Sequence, residues 1–298
     1  MQLNFEKYSA TGNDFIVIDN RNGEWDALIV DPILKRGRWN GLHVWRELCR
    51  LKTGIGADGI LFCETSSRLK SDGKPCDFKM RYLNADGGEV SMCGNGTRAL
   101  SAFYHRHFRR EQQAHYFFET QKGIYQSYFL SREADADLFK IKMTELYDLD
   151  RYPIQDLYQS PDKISSRFLN TGVPHVVMQV SDVQKVDVFN VGKAIRYDAR
   201  FEAGTNANFF HVDAGDKNKI WVRTYERGVE NETESCGTGI VASALTYMDR
   251  AQIKHCKVQA LGGELSVECL DLESGLEKVK EVYLCGKVQK IFDGSVEF

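Results

Sequence analysis

Two short segments carry the residues whose chemistry is easiest to read: Cys93-Gly94-Asn95-Gly96-Thr97-Arg98-Ala99 and Cys236-Gly237-Thr238-Gly239-Ile240-Val241-Ala242. Each pattern predicts a thiol at the mouth of a helix. There the unpaired backbone N–H groups and the helix dipole favour negative charge and can lower a thiol pKa. The glycines let a ligand reach the backbone, and the same N–H groups could hold a carboxylate. A single Cys-Gly-x-Gly is also compatible with a buried structural cysteine beside a tight turn. Two of them are compatible with an acid–base pair. Inverting a stereocentre needs a base on one face of a carbon and an acid on the other, with roles exchanged in the reverse direction.

The surrounding residues repeat as well. Arg81-Tyr82-Leu83-Asn84 matches Arg223-Thr224-Tyr225-Glu226, Thr11-Gly12-Asn13 matches Thr171-Gly172-Val173, and Gly56-Ala57-Asp58-Gly59 faces Gly204-Thr205-Asn206-Ala207. Four motifs recurring in one order argue for two equivalent halves related by a pseudo-two-fold axis. Such an axis is expected to bring the two thiols to opposite sides of one cleft. The carbanion's charge would then spread into a carboxylate held by two helix mouths.

The elements that must position these residues follow from periodicity. Phe78, Met80 and Tyr82 alternate with Lys79 and Arg81, and Trp221 to Tyr225 forms a similar run, so a strand and a turn precede each Cys. Ile240, Val241, Ala244, Leu245 and Met248 form the apolar stripe of a helix after Cys236; Leu100, Phe103, Tyr104 and Phe108 do so after Cys93. Further strands are expected at 13–18, 59–63, 115–120, 124–130, 138–143, 176–180, 207–212, 264–269 and 281–292. Many strands and few helices predict an α+β protein. The expected division is an N-terminal half, 1–135, a C-terminal half, 136–284, and a final strand, 285–298, returning to the N-terminal half. The charged stretch Arg132 to Asp137 is the expected hinge.

A chain of 298 residues with 42% hydrophobic residues can bury a real core. The net charge of -3 and the lack of long runs of either sign leave no footprint for nucleic acid or an anionic membrane. No two of the eight cysteines are close enough for a CxxC pair or paired zinc ligands, so no metal is expected. There is no Rossmann or phosphate-binding fingerprint. The start of the chain shows no signal-peptide pattern, and a cytoplasmic location is the expectation.

TGNDFIVIDN, TGIGADGILF, NADGGEVSMCGNGTR, TGVPHVV, GTNANFFHV and YERGVENETESCGTG resemble, in order and spacing, the motifs of the diaminopimelate epimerase family. The resemblance runs from about residue 5 to the closing KIFDG. It implies a cofactor-independent isomerase that interconverts LL- and meso-diaminopimelate on the route to lysine and peptidoglycan. It also implies a fold of two similar halves, each a mixed, mostly antiparallel sheet wrapped around a central helix, and a homodimer. By position, it makes Cys93 and Cys236 the catalytic pair. Gly94, Asn95, Gly237 and Thr238 become the helix-mouth residues that hold the reacting carboxylate. Asn13, Asn84, Asn206, Glu226 and Arg227 become substrate-holding residues, with His175 and Glu226 tuning the thiol pKa values. These roles suit the side chains: Arg227 can grip a carboxylate bidentately and Glu226 can accept from an ammonium.

The sequence departs from the family pattern at four places, one of them the nine residues between Glu226 and Cys236, one more than the commonest form has. Val173 stands where the family has Asn, Gly59 where some members have Gln, and Phe292 where a Tyr often marks the dimer contact. These bear on specificity and dimerisation rather than on the reaction. A sister racemase acting on proline, hydroxyproline or another amino acid is the alternative, but it has no need of a second charged pole such as Glu226 and Arg227. A redox sensor joining Cys93 to Cys236 is a third reading. It requires Cα atoms within about 7 Å.

Overall fold

Two sets of strands, each enclosing one long helix, make up the chain. The computed structural model describes residues 1–35, 39–143 and 146–298, apart from the side chain of Ser274. They divide into two compact units, Met1–Ile141 with Gly286–Phe298, and Lys142–Cys285.

The first unit contains β1 (Gln2–Ala10), β2 (Asn13–Asp19), β3 (Gly59–Glu64), β4 (Phe78–Asn84), the short β5 (Glu89–Val90), β6 (His115–Thr120), β7 (Gly123–Glu133) and β8 (Ala136–Lys142). Its helices are α1 (Asp26–Val30), α2 (Val44–Cys49) and α3 (Gly94–Phe108). The second contains β9 (Lys163–Asn170), β10 (Pro174–Val180), β11 (Asn206–Val212), β12 (Lys219–Glu226), β13 (Asn231–Thr233), β14 (His255–Ala260) and β15 (Gly263–Cys269), with α4 (Val188–Arg196) and α5 (Gly237–Ala251). The long β16 (Val282–Glu297) begins in the second unit and ends in the first.

Strand order exposes the repeat. The first unit runs β1-β2-β3-β4-β6-β7-β8-β16, and β16 also pairs with β1, so the sheet closes on itself. The second unit runs β9-β10-β11-β12-β14-β15 and then β16. Parallel pairs occupy the same places in both: β2 with β3 and β4 with β6, then β10 with β11 and β12 with β14. A parallel pair needs a crossover, and helices supply it each time. The neighbours β1–β2, β3–β4, β6–β7, β7–β8, β9–β10, β11–β12 and β14–β15 are antiparallel, which is the α+β architecture expected.

The central helices are buried nearly all round, as an enclosed helix must be. On α3, Ala99, Leu100, Ala102 and Phe103 pack among Leu61, Phe78, Phe118 and Phe139. On α5, Ile240, Val241, Ala244, Leu245 and Met248 are buried. The opposite sheet faces carry separate cores: Trp25, Trp39, Trp45 and Leu48 with Ile16, Ile18, Ile60 and Phe62 in one unit, and Val188 and Ile195 with Met178, Phe209 and Tyr225 in the other.

The structure also differs from the expectations. Arg132 to Asp137 is the tip of the β7–β8 hairpin rather than a hinge; Arg132 pairs with Asp137 across it, and Asp137 is fully buried between Arg132 and Arg106. The dividing point accordingly falls at Ile141/Lys142 rather than at 135/136. Strands β1, β9 and β14, with the short β5 and β13, lie outside the expected strands. In β1 the buried Glu6 and Lys7 break the apolar alternation. They are tolerated because Glu6 accepts from Tyr8 and pairs with Lys290 and His107, and Lys7 pairs with Asp14. The register also shifts one motif match. Phe15 pairs with Gly59, and His175 pairs with Asn206, so Gly59 rather than Asp58 occupies the place of Asn206.

Candidate active site

In the second unit, Cys236 is the N-cap of α5, and its carbonyl accepts the first helical bond from Ile240 N at 2.8 Å. The N–H groups of Gly237, Thr238 and Gly239 precede any intrahelical acceptor. The thiol is buried; it lies 3.6 Å from Thr238 Oγ1 and hydrogen-bonds to the Glu226 carboxylate. Glu226 ends β12, where Oε2 accepts from Thr233 Oγ1 at 2.8 Å. Burial raises its pKa above the usual carboxylate value, and its bonds to Thr233 and Cys236 pull it back. An anionic Glu226 against a thiol is a ready proton acceptor.

His175, Asn206 and Glu226 stand abreast on β10, β11 and β12, since His175 pairs with Asn206 and Glu226 is one step beyond the Ala207–Tyr225 pair. Asn206 Oδ1 accepts from Arg227 N at 2.8 Å and Nδ2 donates to Pro174 O at 3.0 Å, so its amide shapes the backbone that carries Arg227. The Arg227 guanidinium is anchored by Ala203 O at 2.8 Å and has no carboxylate partner among the described residues. It is available for an anion. His175 is fully buried, and burial together with the Arg227 cation pushes its pKa down to about 3. Val173 is half-buried in the turn before β10, where Thr171 N donates to its carbonyl and Thr171 Oγ1 reaches Thr238 O at 3.0 Å.

In the first unit, Cys93 is the N-cap of α3 and is half-exposed. Its Sγ accepts from Gly96 N at 3.4 Å, the position of an N-cap side-chain acceptor, so negative charge on sulfur is favoured there. Gly94 and Asn95 offer N–H groups ahead of the first helical bond, Thr97 N to Cys93 O at 2.8 Å. The Asn95 and Asn13 side chains are linked: Asn95 Nδ2 donates to Asn13 Oδ1 at 2.6 Å and Asn13 Nδ2 to Asp58 Oδ2 at 2.8 Å, while Arg98 Nη2 donates to Asn95 Oδ1 at 2.7 Å. Asn84 closes β4 half-buried, and Gly87 N donates to its carbonyl at 2.8 Å.

A family model for diaminopimelate epimerase matches residues 5–137 and 167–291. The chain belongs to the diaminopimelate epimerase family. The diaminopimelate epimerase of Aquifex aeolicus is 35% identical over 294 residues, covering 98% of this chain and 97% of its own, and that of Archaeoglobus fulgidus is 34% identical over 305 residues, covering 99% and 96%. Among solved structures, a phenazine biosynthesis protein of the PhzF family from Bacillus anthracis superposes with a TM-score of 0.74 at 15% identity, covering all of both chains. A hydroxyproline epimerase from Agrobacterium vitis superposes with a TM-score of 0.64 at 14% identity, covering 99% of this chain and 91% of its own. At such identities these structures share the fold and nothing finer.

Several residues that hold the family's motif positions were not legible as site residues. Asp58 and Arg98 steady Asn13 and Asn95, and Arg98 could have been flagged as a cation inside an apolar helical stripe. Asn208 and Thr224 lie beneath His175. Among the described residues, no group of three or more His, Cys, Asp or Glu is placed to hold a metal, and no helix is long and apolar enough to cross a membrane.

Proposed function

We propose that the chain is a diaminopimelate epimerase, interconverting LL- and meso-diaminopimelate by a two-base proton transfer at the α-carbon without a cofactor. The observation that carries the reading is the paired helix mouth. In a member of this family, equivalent helices α3 and α5 each begin at a Cys-Gly-x-Gly thiol whose following N–H groups precede the first helical bond.

In the direction where Cys236 is the base, Glu226 draws off its thiol proton, and the thiolate takes the α-proton. Cys93, protonated, delivers a proton to the opposite face; in the reverse direction the roles exchange. The N–H groups of Gly94, Asn95, Gly237 and Thr238 stabilise the carboxylate as charge develops on it. Arg227 and Glu226, with Asn13, Asn84 and Asn206, hold the substrate, and His175 tunes a thiol. Arg227, which has no carboxylate partner among the described residues, supports a substrate with a second carboxylate and so favours diaminopimelate over a single-pole amino acid. Val173 contributes an apolar contact in place of an amide.

The reading is tested by incubating the protein with LL-diaminopimelate in deuterated water. The expected outcome is deuterium at the α-carbon together with meso product, and loss of interconversion in Cys93→Ala and Cys236→Ala with the circular dichroism spectrum unchanged. Turnover at the wild-type rate in either variant would sink the two-base mechanism, and uptake with proline rather than diaminopimelate would favour the sister racemase. We also propose a cytoplasmic location and a homodimer, the latter supported by the exposed pair Ile291 and Phe292 on β16; a monomeric mass in sedimentation equilibrium would refute the dimer.

A further inference from the structure

The internal repeat supplies its own control for His175. Across three neighbouring strands, the first unit places Phe15, Leu61 and Tyr82 where the second places His175, Asn208 and Thr224. This follows from the registers, which pair Phe15 with Gly59 and Leu61 with Tyr82 in one unit, and His175 with Asn206 and Asn208 with Thr224 in the other. One unit fills this layer with apolar and aromatic groups; the other fills it with three buried polar side chains in contact. Burying such a chain is costly unless every member has a partner, so its retention in one half alone points to a task confined to that half.

The hydrogen bonds define the task. Asn208 Nδ2 lies 3.0 Å from Val176 O and 3.1 Å from His175 Nδ1, and Thr224 Oγ1 donates to Asn208 Oδ1 at 3.0 Å. A backbone carbonyl only accepts, so the amide must turn its NH2 toward Val176. Its second N–H then points at Nδ1, which must accept. A neutral imidazole that accepts on Nδ1 carries its proton on Nε2. His175 Nε2 is buried and has no hydrogen-bond partner among the described residues. A fully buried donor left open is costly in an empty site and is satisfied by whatever enters it. Helix α5 adds to the constraint: a Cβ at Gly239 would stand 2.2 Å from Asn208 Oδ1, so the second glycine of the Cys236 motif is what admits Asn208 beneath the helix.

We propose that Asn208, itself oriented by Thr224, is the positioning residue that fixes His175 as its Nε2–H tautomer and thereby aims one N–H as a donor to a reacting thiolate. The inference rests on the epimerase reading and adds to it the residues that set the histidine's proton. Thr224 and Asn208 touch no substrate; they act through His175.

The test combines a spectroscopic and a kinetic readout on the full chain. Two-bond proton–nitrogen spectra of protein labelled with 15N-histidine report which ring nitrogen carries the proton. In the wild type, the His175 signal is expected to show a protonated Nε2 and a bare Nδ1. In Asn208→Leu, which installs the residue found at the equivalent place in the first unit, a mixture of tautomers is expected. There kcat on LL-diaminopimelate should fall about tenfold, equivalent to ~1.4 kcal/mol, with KM within about twofold. Should that variant fail to fold, Thr224→Val and Thr224→Ser serve instead, the first expected to lose activity and the second, which restores the hydroxyl, to recover it. A wild-type ring protonated on Nδ1 overturns the inference, as does wild-type kcat with an unchanged tautomer in Asn208→Leu or Thr224→Val. The two failures are separable: a wild type that takes up no deuterium from solvent refutes the epimerase reading, whatever the tautomer.

Discussion

At the scale of single residues, burial has very different consequences for the cysteines and for His175. Cys49, Cys63, Cys256 and Cys269 sit where desolvation pushes the thiol up to about 12 or beyond, which keeps them protonated and inert. Cys93 and Cys236 differ by standing at helix N-termini. That distinction is legible in the glycine spacing alone, whereas nothing in the sequence shows that the Glu226 carboxylate contacts the Cys236 thiol. For His175, a group titrating near 6.5 when unfolded and about 3 when folded leaves the unfolded chain holding more protons between those limits. Stability therefore falls as pH drops through that window and is unaffected by this group above it. The comparison is His175→Phe, which places the first unit's Phe15 equivalent in the second. Between pH 6 and 4, the unfolding free energy of the wild type should fall with acid by about 1.4 kcal/mol per pH unit more steeply than that of the variant. Parallel stability curves from denaturant titrations would refute a buried neutral imidazole.

At the scale of elements, the two central helices were found from their apolar stripes, but their approach to the sheet was not. Gly96 and Gly239 are equivalent in sequence and unequal in space. A Cβ at Gly96 would meet Leu61 at 3.2 Å and Phe15 at 3.4 Å, contacts that side-chain adjustment can absorb, while one at Gly239 would collide with the fixed Asn208 amide at 2.2 Å. Gly239→Ala should therefore cost about 1–3 kcal/mol, the range of overpacking, and Gly96→Ala distinctly less, both read from urea unfolding. Equal costs would show that the Asn208 chain yields as easily as Leu61. The strands that periodicity does not reveal are hidden by polar or small side chains. In β1 the buried Glu6 and Lys7 mask alternation, and β9, Lys-Ile-Ser-Ser-Arg-Phe-Leu-Asn, is polar at half its length because only its last residues, Phe168 to Asn170, are buried. In β14 the inward residues Cys256, Val258 and Ala260 do alternate, but two of them are small and the outward ones include His255 and Lys257. Periodicity reads side chains, and tertiary pairing rescued polar ones.

At the scale of the whole molecule, the repeat predicted two equivalent halves, and the strand orders agree place for place, parallel pairs included. The two units share one continuous strand, β16, whose residues from Gly286 onward belong to the first. Met1 and Phe298 meet through Phe298 N and Met1 O at 2.9 Å, and β16 pairs with β1 along most of that strand. Removing residues 286–298 should thus strip β1 and β8 of a neighbour and lower the melting temperature of the first unit, seen as lost amide protection in β1 and β2 by hydrogen exchange, while β10 and β11 stay protected. Uniform loss across both units would mean that they unfold as one.

The same strand imposes an order on synthesis. Lys142–Cys285 is continuous, so every strand assigned to the second unit has been made once Cys285 has emerged. The first unit, although translated earlier, lacks the strand that closes its barrel until residues after Cys285 have been added. The half that carries Cys93 therefore waits, with the edges of β1 and β8 open, through the translation of 144 residues of the other half. During that interval its unpaired edges are the exposed ones, and the nascent chain is most vulnerable to aggregation in the half that is oldest.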